Sequence, residues 1–416
     1  MAPLVETFVP ARLGARFRWL LASSWTTNLG DGIALAAGSL LVASLTTDAF
    51  LVSLAALLRW APPLVFGLYA GVLSDRMDRR LIVVVANLVR AVVLAVIVVL
   101  LLTGTLTVAM ALAGLGLVAV SEVFADNTSQ TLLPMLVDRD DLALANARLQ
   151  TGFLTLNQMA GPPIGAALFA AGRAWPFATE AVLVSAGVLL VLPVALPPHG
   201  RERGTGAGVR RDIAEGIRWT LRHPAVRTLA LTILVFNITF GAAWSVLVLY
   251  AAERLGLGPV GFGLLTTVSA VGGLLGTAAY GWITRRVSLG DIMRVGLVIE
   301  TLTHLALALT RSAVFACGVF VVFGAHAFVW GTTSVTVRQR AVPTELQGRV
   351  SGAYVIAVYG GLVVGSAIGG VLANRYGVTA PFWFAFAGSA VFLVALWGQL
   401  TRIAHDQEPA DAGTAT

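Results

Sequence analysis

The sequence has little charge, one cysteine and no lysine. Only 12% of its 416 residues are Asp, Glu, Lys or Arg, whereas soluble globular domains carry about 25%. Hydrophobic residues make up 57%, and the mean hydropathy is +0.85. Because such a chain lacks the polar surface that faces water in a soluble protein, we expect lipid to be its solvent.

Several kinds of chemistry are excluded by missing residues. The lone Cys317 rules out an intramolecular disulfide and a cysteine-based metal cluster. The sequence contains no phosphate-binding Gly-Lys loop, no His-Glu-x-x-His motif and no soluble catalytic domain. We therefore predict that the protein is not an enzyme and uses no cofactor and no metal. Any transport would be driven by a gradient and not by ATP.

Long apolar runs account for most of the chain. A helix needs about 20 apolar residues to cross a bilayer, and the sequence contains about twelve such runs. A polar stretch separates the first six from the last six. The predicted organisation is an N-terminal six-helix bundle at 1–197, a cytoplasmic linker at 198–224, and a C-terminal six-helix bundle with a short tail at 225–416.

The placement of arginine predicts the orientation. On these spans, 22 of the 28 basic residues fall on the side of the termini and the linker. Because cytoplasmic loops are enriched in basic residues, we expect a multi-pass protein of the cytoplasmic (inner) membrane with both termini cytoplasmic. The same placement accounts for the net charge of +7 without nucleic acid as a partner.

Two landmarks recur at nearly the same offset. Pro134 and Pro343, each before a charged turn, are 209 residues apart. Gly71 and Gly281, each opening a loop, are 210 residues apart. This regularity indicates an internal duplication, as in transporters built from paired halves with a substrate site between them.

Two motifs connect the sequence to a known family. The stretch 71–80, with Gly71, Asp75, Arg76, Arg79 and Arg80, resembles the loop signature of the major facilitator superfamily. The resemblance implies an all-α fold of twelve transmembrane helices in two pseudo-symmetric six-helix bundles. It also implies that these charges form a cytoplasmic gate with Arg349 of the other half. The alternative is that the arginines only set the topology.

A second group of motifs resembles one branch of that superfamily. Gly161, Pro162, Pro163 and Gly165 resemble the Gly-Pro motif of proton antiporters. The blocks 133–146 and 338–350 resemble those of enterobactin exporters and macrolide-efflux proteins. One departure is that span four has no embedded arginine, where many drug–proton antiporters carry one. This departure leaves their usual proton relay unsupported here.

Acidic residues inside spans are the main candidates for chemistry, because a buried charge is costly in a membrane. Asp31 is expected either to bind substrate or proton in a cavity or to be tied to a neighbouring helix. Glu122 and Asp126 lie four residues apart on one helix face. Two such acids favour sharing a proton, and the alternative is that Asp126 is solvated near the cytoplasmic end.

Other polar residues in the spans have less definite roles. Arg90 can pair with an acid, but we favour its extending to the cytoplasmic interface. Glu180 is interpreted as an anchor near the outer mouth. Glu300 and His304 can relay a proton, although a structural pair is favoured, and His326 is interpreted as a lone packing residue.

Taken together, these features predict a secondary active transporter that exports a small lipophilic or amphipathic compound in exchange for protons by alternating access. The expected partners are a small-molecule substrate, protons and the lipid bilayer, and the expected state is a monomer. One alternative is an importer or facilitator of a metabolite, and another is a non-transporting sensor or scaffold. The candidate proton-coupling or cavity residues are Asp31, Glu122, Asp126, Asn157, Asn237, Trp244, His326 and Trp330.

Overall fold

The computed structural model describes residues 11–194, 209–343 and 346–405. This part of the chain is almost entirely helical and contains no strand. The first part of the predicted linker, 198–208, lies outside the described residues. The prediction of an all-α membrane protein is confirmed.

Seven helices precede the linker. They are α1 (Gly14–Leu45), α2 (Ala49–Arg76), α3 (Arg79–Leu102), α4 (Val108–Leu132), α5 (Leu142–Gly152), α6 (Gly161–Ala171) and α7 (Trp175–Val191). A π-helical segment, Phe153–Ala160, joins α5 to α6 without a break.

Seven more follow. They are α8 (Val209–Arg222), α9 (Pro224–Trp244), α10 (Pro259–Thr284), α11 (Leu289–Leu309), α12 (Ala313–Ala341), α13 (Gln347–Tyr376) and α14 (Ala380–His405). One helical turn and a second π-helical segment, Tyr250–Arg254, extend α9.

Ten of the described helices are long and apolar enough to cross a membrane by themselves. The predicted sixth span is the shorter apolar helix α7. The predicted fifth span is continuous from α5 through α6, but its wide π-helical turn divides it into pieces below the length of a span. Helix α8, by contrast, is short and polar and lies in the predicted linker.

Polar side chains determine where several of these helices begin. Asp48 accepts hydrogen bonds from the backbone N–H groups of Phe50 and Leu51 at the start of α2. Asp78 does the same for Leu81 at the start of α3. Such caps satisfy N–H groups that have no partner within the helix. They fix sharp connections between consecutive apolar helices.

The contacts divide the chain into two compact units. The first comprises Met1–Gly206 together with Ser245–Thr267, and the second comprises Ala207–Trp244 together with Val268–Thr416. Within the first, α1 packs against α6 and α7, and α3 packs against α4 and α7. Within the second, α9 packs against α13 and α14, and α11 packs against α12 and α14. The bundle boundaries expected from the sequence stay a prediction.

Candidate functional site

A buried arginine organises the first unit. Arg90 is 1% exposed and lies in the middle of α3. Its Nη2 forms ion pairs with Asp31 of α1 and, at 3.3 Å, with Glu180 of α7. Its Nη1 donates to the Asn87 side chain at 3.3 Å. Three helices are therefore joined through one guanidinium group.

Two sequence interpretations are wrong at this cluster. Arg90 does not extend to the interface, because its side chain is enclosed by α1 and α7. Glu180 is not merely an anchor, since it is 1% exposed and bound to Arg90. Asp31 is tied to a neighbouring helix, which was the alternative to its lying free in a cavity. The sequence carried a usable signal, because a buried basic residue needs an acidic partner.

The cluster around Arg90 contains more acidic than basic side chains. Asp126 interacts electrostatically with Asp31 and Glu122, and also with Arg90 and Arg59. The Oε2 atom of Glu180 is buried and accepts no hydrogen bond from the described residues. Asp126 itself has an exposed side chain, and Glu122 is partly buried. Four carboxyl groups thus face two guanidinium groups.

The Gly-Pro motif lies against the same part of α1. A Cβ on Gly161 would collide with the backbone of Gly32, and one on Gly165 would collide with Ile33. The helices therefore approach closely only because these positions are glycine. Successive helix residues point about 100° apart, so Asp31 is directed to Arg90 while Gly32 is free to meet the motif.

The polar residue of this crossing is Asn157, which lies in the π-helical segment and is 3% exposed. Its Oδ1 accepts a hydrogen bond from Gln158 at 2.6 Å, and its backbone lies against Gly32. Pro162 and Pro163 stand in the first turn of α6, directly after the π-helical turns. The helical pitch therefore changes just before these prolines.

The expectation that Gly71 opens a loop is wrong, because α2 continues to Arg76 and α3 begins at Arg79. Two basic residues of the 71–80 segment bind backbone carbonyl groups of the first unit. Arg79 donates to Ser74 at 3.0 Å and to Thr131 at 3.2 Å. Arg80 donates to Leu192 at 3.1 Å. Arg76 is exposed at the end of α2, and Gly71 lies two turns earlier in the same helix. Asp75 belongs to α2, but its side chain lies outside the described part.

Arg349, the predicted gate partner, lies in the second unit at the start of α13. It forms an ion pair with Glu215 of α8 at 3.0 Å. The backbone of Arg349 also lies against Gly216, where a Cβ would collide with it. Helix α8 is thus attached to α13, and the gate role of Arg349 stays a prediction.

The second unit has its own titratable cluster. Glu300 of α11 lies 3.0 Å from the Nε2 of His326 on α12 and 3.8 Å from the Nε2 of His304, one turn further along α11. The interpretation of His326 as a lone packing residue is wrong, because it binds Glu300. In the described ranges, no three His, Cys, Asp or Glu side chains are grouped so as to hold a metal ion.

Aromatic side chains adjoin this cluster. Trp244 stacks on Phe240 with ring centroids 4.4 Å apart and meets Phe323 at 4.7 Å. Its ring contacts the ring of His304 edge-on at 5.9 Å. Trp330 packs elsewhere, beside α11, and its buried Nε1 lacks a hydrogen-bond partner in the described structure.

Asn237 lies at a close crossing of α9 and α13 in the second unit. Its Nδ2 donates to Ile233 of its own helix at 2.7 Å. A Cβ on Gly361 would lie 2.7 Å from the Cβ of Asn237, and one on Gly365 would collide with Ile238. Each unit therefore contains at least one crossing of two helices that depends on glycine.

The sequence profile of the transmembrane secretion effector family matches residues 5–413. The chain belongs to this family of major facilitator transporters. The resemblance inferred from the loop and Gly-Pro motifs is confirmed.

Curated relatives of this transporter are named for drug export. It is 28% identical to the multidrug efflux pump Tap of Mycolicibacterium fortuitum, over 87% of this chain and 90% of that protein. It is 22% identical to macrolide efflux protein A of Streptococcus pyogenes, over 84% and 87% of the two chains.

Solved structures share the fold of the transporter. A nucleoside transporter, NupG, superposes with a TM-score of 0.74 at 11% identity and covers 92% of this chain and 99% of its own. A bacterial homologue of the iron transporter ferroportin, in an inward-facing state, has a TM-score of 0.73 at 16% identity, with coverages of 93% and 99%. At these identities the likeness establishes the major facilitator fold alone.

Proposed function

We propose that this transporter exports a small lipophilic or amphipathic compound across the cytoplasmic membrane in exchange for protons, by alternating access. Membership of a secretion-effector family supports export, as do relatives named for multidrug and macrolide efflux. The apolar character of macrolide-like compounds suits a pathway through spans that carry few charges. Spans one, four, seven and ten, which belong to α1, α4, α9 and α12, are proposed to line the pathway.

The observation that carries proton coupling is the excess of acid around Arg90. Asp31 and Glu180 both bind this one guanidinium, so the carboxylates outnumber their cations even before Glu122 and Asp126 are counted. Like charges this close in a medium of low dielectric favour a shared proton. A proton can therefore enter or leave the cluster without breaking the fold.

Glu122 and Asp126 are proposed as the acids that exchange the proton. Neither binds Arg90 directly in the way that Asp31 and Glu180 do, so each can change charge while the ion pairs remain. Asp126 is exposed, which gives water or substrate access to it. Asp31 and Arg90 then transmit the charge change to α1 and α3. Because α1 also contacts the Gly-Pro motif, a movement of α1 would reach the crossing at Gly161 and Gly165.

The charged segment at 71–80 is proposed to act as the cytoplasmic gate, with Arg349 as its partner from the other half. Arg79 binds a carbonyl group in the last turn of α4, and Arg80 binds one directly after α7. These bonds support a role in holding that end of the first unit together. The cytoplasmic location of both termini and the monomeric state are proposed as well. Reporter fusions at 198–208 and at the C-terminus would test the orientation.

The decisive experiment uses purified transporter in proteoliposomes with a radiolabelled macrolide and an imposed pH gradient. The native protein should move the compound against its gradient and release protons when the compound is added. The Glu122→Gln/Asp126→Asn double variant should retain downhill exchange but lose both the uphill movement and the proton release. Asp140→Asn, at an exposed loop acid, is the matched control.

Two results would reject the proposal. Uphill transport that persists in the double variant would remove the two acids from the coupling step. Greater accumulation of the compound in cells that carry the gene, abolished by a proton uncoupler, would indicate an importer. The importer alternative has structural support only at the level of the fold, through the nucleoside transporter NupG.

A further inference from the structure

The cluster of Glu300, His304 and His326 in the second unit has no part in the function proposed above. All three residues are more than nine-tenths buried, and His304 has no exposed surface. Buried ionisable groups in a membrane helix are costly and are usually functional. We therefore expect these three residues to have a function.

The carboxylate lies between two imidazoles. One oxygen of Glu300 lies 3.0 Å from the Nε2 of His326, and the other lies 3.8 Å from the Nε2 of His304. The first distance is that of a hydrogen bond, and the second is too long for one. Neither ring nitrogen of His304 has a hydrogen-bond partner among the described residues. His304 thus holds a buried basic nitrogen that can accept a proton.

Among the described residues, Glu300 forms ion pairs only with these two histidines. Helices α12 and α14 pack on α11, and α9 approaches it through Trp244. With the exception of Cys317, the other ionisable residues of α9, α11, α12 and α14 lie toward the ends of these helices. They are Arg227, Asp291, Arg294, Cys317, Arg338, Arg340, Arg402 and His405.

The imidazoles also contact the aromatic side chains. His304 meets Trp244 edge-on, and His326 meets Phe323 with ring centroids 6.2 Å apart. A cation within about 6 Å of an aromatic ring is attracted to the ring face. A change of imidazole charge therefore changes the energy of the Trp244 and Phe323 positions.

We propose that Glu300, His304 and His326 form a second proton-binding site, whose occupancy is sensed by Trp244. A proton from water adds to an imidazole nitrogen and is stabilised by the Glu300 carboxylate, and the same proton returns to water when it leaves. The proposal does not depend on which compound is transported or in which direction.

The test uses the full chain in nanodiscs, without substrate or gradient, with histidine labelled with ¹⁵N in the ring. The sequence has five histidines, so His→Gln variants can assign each signal. The signals of His304 and His326 should change together when the pH is varied from about 5 to 9. Glu300→Gln should lower their proton affinity about tenfold, because it removes the opposite charge.

A second readout is the tryptophan fluorescence, which a protonated imidazole quenches. Trp244→Phe and His304→Gln should each remove the same component of its pH dependence, and His223→Gln should retain that component. The control is His223→Gln, which removes a different contact, the stacking of His223 on Trp219 at 5.0 Å. If the His304 and His326 signals of the native protein do not change over this pH range, or if Glu300→Gln leaves their midpoints in place, the proposal is overturned.

Discussion

The two units bury titratable clusters of different kinds. In the first, Arg90 binds Asp31 and Glu180, and the cation at the centre is an arginine. In the second, a carboxylate is the central group, and its partners are His304 and His326. Arginine keeps its charge at all physiological pH values, whereas histidine changes charge near neutrality.

This difference separates a permanent connection from a switchable one. Arg90 joins three helices whatever the proton occupancy of the surrounding acids, so the first unit can exchange protons on Glu122 and Asp126 without losing its central ion pairs. The second unit has no such permanent cation at Glu300 among the described residues. Its helix contacts there are expected to vary in strength with pH.

The largest expected effect follows from removing the permanent cation. Arg90→Ala would leave Asp31 and Glu180 buried without a partner, and we expect the free energy of unfolding to fall by about 3–5 kcal/mol. Unfolding of the purified variant in a fixed detergent would measure the loss. Adding Glu180→Gln to Arg90→Ala should recover part of it.

Arg59→Ala is the comparison, because Arg59 interacts electrostatically with Asp31 and Asp126 but forms no ion pair with them among the described residues. Its cost should be clearly smaller. Equal losses in the two variants would contradict a central role for Arg90.

A second prediction tests what the units share. Gly165→Ala and Gly365→Ala each place a methyl group against the backbone of a crossing helix, at Ile33 and Ile238. Each should lower the free energy of unfolding by about 1–3 kcal/mol, because overpacking forces the helices apart. Gly360→Ala, which has open space around its Cβ, should be nearly neutral. If neither substitution changed the free energy of unfolding, the helices at both crossings would tolerate a larger separation.

The third prediction addresses the switchable cluster. Glu300→Gln retains the shape of the side chain but replaces a charged hydrogen-bond acceptor with a neutral one. We expect a loss of about 1 kcal/mol in the free energy of unfolding, well below that of Arg90→Ala. Thermal unfolding of the two variants side by side would measure the difference. If Glu300→Gln were the more damaging, the contrast between permanent and switchable clusters would fail.

The smallest effect is expected at the exposed ion pair between Arg349 and Glu215, whose side chains are 38% and 44% exposed. Glu215→Gln should cost about 0.2–1 kcal/mol, because water and salt screen such pairs. The loss should shrink further in high salt, which has little effect on a buried pair. A large, salt-independent loss would mean that α8 depends on this pair for its attachment.

Part of the candidate site could be predicted from the sequence. The acids of α1 and α4, the Gly-Pro motif and the pair Glu300–His304 were all evident as polar or unusual residues in apolar runs. Their partners were not. Asp31 and Glu180 lie 149 positions apart in the chain, and no local pattern indicates that both bind Arg90. His326 was likewise separated from Glu300 by a loop and half of α12.

Composition alone determined that this chain belongs in a membrane, since an apolar run of about 20 residues spans a bilayer in whatever order the helices pack. The two repeated landmarks indicated paired halves, and the fold class followed from the resemblance of the 71–80 motif to the major facilitator superfamily. Which charges meet was decided only by tertiary structure. The rotation of each helix about its own axis sets whether Asp31 or Gly32 faces α3, and that rotation depends on close contacts such as Gly165 against Ile33. Such contacts join distant parts of the chain and leave no periodic trace in the sequence.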